Sequence, residues 1–168
     1  MKTNLFACWL MLVCSVPAVR SQVLPGDPQF SVLHVVGWGM SMGEIRSVYE
    51  KTQKLVDGTD SSLTLNTEYF GVPALTEFRF QHTRRGPAFI RIKFSEPSKN
   101  LVDTINRHFT QFVKKSPTTS ATEKKLFTIS LRIEVARWKT DKESVVLTTA
   151  LRDGVIGDVG LIISMVAD

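Results

Sequence analysis

Past Cys14 the chain has no cysteine, so no disulfide framework can hold its body together. Histidine is scarce too. His34, His82 and His108 show no metal-ligand spacing, and no metal or cofactor is expected. No phosphate loop, dinucleotide fingerprint or Asn-x-Ser/Thr acceptor is present. The apolar run Leu5–Val13 is too short to span a bilayer, and no later segment is long and apolar enough. What remains is a body that must rest on its core.

Lys2, that apolar run, and the small residues Val19 and Ser21 form a secretory signal peptide. Cleavage is expected after Ser21, or after Ala18. The cut removes both Cys8 and Cys14. Residues 22–168 are then expected to form one secreted domain, large enough to bury roughly 68–70% of its unfolded surface. Losing Lys2 and Arg20 lowers the net charge from +5 to +3. That charge is uneven. Residues 22–78 carry three basic and seven acidic side chains, residues 79–115 nine and two, and residues 116–168 seven of each.

Period-two alternation is clearest from Phe127 to Val135, where every odd position is apolar and every even one polar. The odd residues are expected to face the core. Two further runs, Leu75–His82 and Ala88–Phe94, flank Thr83–Pro87 and predict a hairpin. Phe78, Phe80, Ile90, Ile92 and Phe94 should face in, and Glu77, Arg79, Arg91 and Lys93 out. Phe30–Val36, Leu63–Phe70, Val145–Leu151 and Val159–Val166 predict more strands. The last is apolar on both faces, as a central strand should be. Asp153-Gly154 marks a turn. Residues 116–122 read as a Ser/Thr/Pro linker.

Ser95-Glu96-Pro97 should start a helix reaching Val113, with Leu101, Val102, Ile105, Phe109, Phe112 and Val113 as its stripe. Glu44–Val56 is ambiguous between helix and strand. Its apolar spacing and the Ser41/Glu44 capping-box pair favour helix. No internal repeat is evident. The order predicts an α+β body, an antiparallel sheet covered by one or two amphipathic helices. The alternative is an all-β sandwich with an inserted helix.

Gly39-Met40-Ser41-Met42-Gly43 fits Gly-x-Ser-x-Gly, the strand-to-helix turn of a serine nucleophile. His82 or His108 would be its base, and Asp57, Asp60, Glu77 and Asp103 its candidate acids. The competing reading makes Ser41 a helix cap. Trp38, Met40 and Met42 suit either an apolar pocket or the core. The basic hairpin is the main binding candidate: Arg79, Arg91 and Lys93 on one wet face, Arg84 and Arg85 at the tip, and Phe89 among them. Its partner would be an anionic glycan or lipid surface; nucleic acid is not expected.

His34-Val35-Val36-Gly37, Gly43-Glu44 and Val48-Tyr49-Glu50 resemble the opening of the multiprotein-bridging-factor-two-like family of small secreted insect proteins. Ile129, Ile133 and Val135, Val146-Leu147-Thr148, and Gly157 with Val159–Ser164 resemble that family's closing strands. Leu151-Arg152-Asp153-Gly154 stands where the family carries paired glycines, and residues 66–125 look inserted. The resemblance implies a cysteine-poor, β-rich, non-enzymatic secreted protein, with residues 44–56 as strand. The expected function is therefore secreted, non-enzymatic binding of an anionic partner. The alternatives are a small serine hydrolase using Ser41, or a structural or interaction component of a secretion with a protein partner.

Overall fold

The structure, a computed structural model, describes residues 36–51, 55–59, 61–81 and 86–166. The expected leader with both cysteines, the expected strand Phe30–Val36 up to residue 35, His34, Asp60, His82, Arg84 and Arg85 lie outside the described residues. Helix α1 (Met42–Glu50) precedes β1 (Leu55–Gly58), β2 (Ser62–Tyr69), β3 (Val72–Phe80) and β4 (Pro87–Phe94). Helix α2 (Lys99–Val113) then precedes β5 (Thr118–Leu126), β6 (Ile129–Lys139), β7 (Glu143–Arg152) and β8 (Val155–Met165).

All these strands join one antiparallel sheet, ordered β1-β2-β3-β4-β8-β7-β6-β5. A single sheet with two helices is neither a sandwich nor an even α+β mixture; the sheet dominates. β8 holds the central position that its two-sided apolarity predicts. Residues 66–125 supply β3 and β4 from the sheet's middle, so they are integral to the body.

The order reads the same from either edge. One helix and four meandering strands occur twice, and the last strands of the two units pair. This is a repeat of topology that the sequence does not display. α1 touches β1 and β2, and α2 touches β6.

Register fixes which residues are buried. Leu63, Phe78, Ile90, Ile163, Val145 and Trp138 form one row of cross-strand neighbours. Leu65, Thr76, Ile92, Leu161, Leu147 and Ala136 form the next. With period two, each row keeps to one face, and all but Ala136 are at most 3% exposed. Ile45 and Tyr49 of α1, and Leu101, Ile105 and Phe109 of α2, belong to the same core. Burying the last three contributes about 5–9 kcal/mol before entropy.

Several expectations need correction. Residues 44–56 split, helix to Glu50 and then strand from Leu55. The α2 cap is Ser98, whose Oγ accepts from Leu101 N at 3.2 Å. Phe112 is 52% exposed, whereas Phe109, whose ring meets Trp138 at 5.5 Å, and Val113 on either side of it pack in or against the core. The expected linker supplies edge strand β5; its β-branched threonines suit a strand, and its exposed Glu123, Lys124 and Lys125 suit an edge.

The main correction concerns β6. Its odd residues, expected inside, lie on the open face, and Ile133 is 37% exposed. Trp138 is the cause. It is 2% exposed, packs on Phe109, and donates from Nε1 to Thr110 Oγ1 at 3.3 Å. Once the bulkiest side chain of a strand is inward, every even residue follows it. Phe127 is not in the strand at all. It sits at the β5–β6 turn with φ +56° and is fully exposed.

Tyr49 and Tyr69 are the only tyrosines in the chain. Burial pushes both phenols up, helped at Tyr49 by its proximity to Tyr69 and opposed at Tyr69 by bonds from Thr76 and Thr67. A raised folded value keeps the full stabilising contribution below the ordinary tyrosine range of about 10 and loses it above. An alkaline titration should therefore show less tyrosinate absorbance from native than from unfolded protein at pH about 10. Ionisation should coincide with loss of the fold by circular dichroism.

Candidate functional site

The sheet face away from the helices collects the basic side chains. Three rows cross it from β2, the first to β6 and the other two to β5. The first joins Ser62, Arg79, Phe89, Ser164, Ser144 and Lys139; the second Thr64, Glu77, Arg91, Ile162, Val146, Arg137 and Thr118. The third joins Asn66, Leu75, Lys93, Gly160, Thr148, Val135 and Ser120. These rows hold five basic residues (Arg79, Arg91, Lys93, Arg137, Lys139) and one acid, Glu77. Arg91 and Arg137 stand three strand spacings apart, about 14 Å.

The geometry around Glu77 tempers this charge. Arg79 Nε donates to its Oε1 at 2.6 Å, and Arg91 Nη1 lies 3.6 Å from its Oε2. Both arginines remain about half-exposed, at 47% and 53%, so each pair contributes at most about 1 kcal/mol. Neither guanidinium is locked away from a partner. Arg91 also lies 5.9 Å from the Phe89 ring centroid, within cation–π range.

Arg79, Arg91 and Lys93 share this face as the hairpin alternation predicts; Arg84 and Arg85 lie outside the described residues. Sequence reasoning missed Arg137 and Lys139. The signal was there: they continue the odd series of β6 beyond Val135, and Trp138 between them is the residue that fixes its phase.

On the helix side, a groove runs along the flank of α2. One part, about 390 Å³, is lined by Val102, Asn106, Glu134, Ala136, Leu147 and Thr149 among others. A second part of about 650 Å³ continues past Leu151, Val155 and Ile156. Glu134 there pairs with Arg132 at 2.9 Å.

Ser41 caps α1. Its Oγ accepts from Glu44 N at 3.3 Å and donates to Glu44 Oε2 at 2.8 Å, while its backbone N–H donates to Oε2 at 2.7 Å. Both halves of a capping box are thus made. His108 packs edge-on against Phe70 and Phe109, at 5.3 and 5.1 Å. Trp38 is a core residue, 3% exposed, donating from Nε1 to the buried Glu143 Oε1 at 3.1 Å, and Met40 packs against the same core. Among the described residues no cluster of His, Cys, Asp or Glu could hold a metal ion. No helix there is long and apolar enough to cross a membrane.

No family model, curated protein or solved structure matches this chain. Its chemistry has to be read from its own surfaces.

Ser41→Ala removes one hydroxyl from the capping box. It should lower the unfolding free energy by about 1 kcal/mol in a urea titration, with an unchanged m-value.

Proposed function

We propose that this is a secreted, non-enzymatic binding protein whose open sheet face engages an anionic partner. The observation that carries the reading is the register: within three rows it lines up Arg79, Arg91 and Lys93 of one half with Arg137 and Lys139 of the other against Glu77, while Glu68 and Asp158 stand in the next row of the same face. Five cations spread over three strands fit an extended polyanion better than a single small anion. A sulfated glycan is the partner that such spacing suits. The finer fold reading, an α+β body with helices as the sheet's cover, belongs with this proposal, since the helices leave this face open.

Salt elution from immobilised heparin tests it. The native protein should elute well above physiological salt. Arg79→Ser/Arg91→Ser/Lys93→Ser should elute near physiological salt, its log–log salt slope lower by about 2–3. Glu77→Gln should elute later than the native protein, because it frees both arginines. Co-elution of all three would show that these charges are ordinary surface.

A further inference from the structure

The other end of the sheet carries a different surface. Three tight turns there have two-residue loops: Phe70-Gly71 between β2 and β3, Phe127-Thr128 between β5 and β6, and Asp153-Gly154 between β7 and β8. In the first and third, both loop residues have positive φ and glycine takes the second place. The middle turn has no glycine, and Phe127 alone takes φ +56°. A bulky residue in that region is a costly choice.

Phe70 bears the same backbone cost, but its ring packs against Phe94 at 6.4 Å and His108 at 5.3 Å. The Phe127 ring is 105% exposed. Burial therefore does not offset its conformation.

Phe127 has company. The β5–β6 and β7–β8 turns are tied together: Asp153 N donates to Ser130 O at 2.9 Å, and Ser130 N donates to Asp153 Oδ1 at 2.8 Å. Val155, just past the second turn, is 70% exposed. It also lines the larger part of the α2 groove, with Val102, Leu151 and Ile156. Lys124 faces Leu131 and Lys125 faces Ser130 across β5–β6, so the two lysines leave the strand on opposite faces beside the tip. The neighbouring carboxylates are already engaged, Asp153 by the Ser130 amide and Glu123 by the Ser130 hydroxyl at 2.9 Å.

We propose that these paired turns are a membrane-contact corner, with Phe127 and Val155 entering the interface of an anionic lipid bilayer and Lys124 and Lys125 meeting its headgroups. An apolar tip between two flexible cations is the arrangement an anionic bilayer surface accommodates. Lys124 shares the open face, but the corner uses none of the five cations Arg79, Arg91, Lys93, Arg137 and Lys139, so the heparin variants leave it intact.

Vesicle co-sedimentation of the purified protein, expressed from the full chain, tests this with phosphatidylcholine vesicles with and without phosphatidylserine. The native protein should pellet with phosphatidylserine vesicles. Phe127→Gly should bind at least about tenfold more weakly, yet melt at the same or a higher temperature, since glycine relieves the strained turn. Phe127→Trp should retain binding. Lys124→Gln/Lys125→Gln should lose the preference for phosphatidylserine. Native protein left in the supernatant, or Phe127→Gly pelleting like the native chain, would overturn the proposal. So would Phe127-dependent self-association in the ultracentrifuge without vesicle binding.

Discussion

Ile90 and Ile92 of β4 face Ile163 and Leu161 of β8, and all four side chains are 0% exposed. Without this seam the molecule would be two four-stranded meanders, each with β4 or β8 as an unpaired edge. With it, the strand order becomes symmetric about the join, and each unit brings a helix to the buried face. α1 contributes Ile45 and Tyr49, and α2 contributes Leu101, Ile105 and Phe109. The seam has a second consequence. It makes the opposite face continuous, so the cations of β3 and β4 share a surface with Arg137 and Lys139, which lie more than forty residues later.

Local signals were legible where they depended on neighbours in sequence. The β3–β4 alternation, the Asp153-Gly154 turn, the Ser41/Glu44 capping box and the two-sided apolarity of β8 all act within a few residues. What was not legible depended on distant partners. Period-two alternation says that β6 has an apolar side; it does not say that this side meets the core. Trp138, seated on Phe109 from another element, decides that. Helix periodicity likewise places Phe112 on the α2 stripe but does not say that it stays exposed while Val113 packs against the core. Of the candidate site, the β3 and β4 cations were readable and the β6 ones were hidden by the inverted phase.

The repeated order escaped sequence reading for a related reason. The two units share connectivity and little else: α1 has nine residues and α2 fifteen, and β1 has four residues against nine in β5. Packing constrains volume and face more than identity. Thr76 holds a fully buried place in β3, satisfied by Thr67 Oγ1 at 2.8 Å, a polar solution with no counterpart in the Leu147 of β7.

The β5–β6 loop carries backbone strain at Phe127. Leu126 pairs with Ile129, so the loop between β5 and β6 has two residues, and the phase set by Trp138 is carried down the strand to that loop. A positive φ at its first position is a backbone requirement of such a turn, and glycine meets it without cost. A non-glycine residue there gives up roughly 1–2 kcal/mol. Phe70 offsets the same cost by packing its ring against α2 and β4, whereas the Phe127 ring is fully exposed. That is an appreciable share of the marginal stability of a folded domain. A fold-only account would place glycine at 127. The phenylalanine makes physical sense if its contacts lie outside the chain.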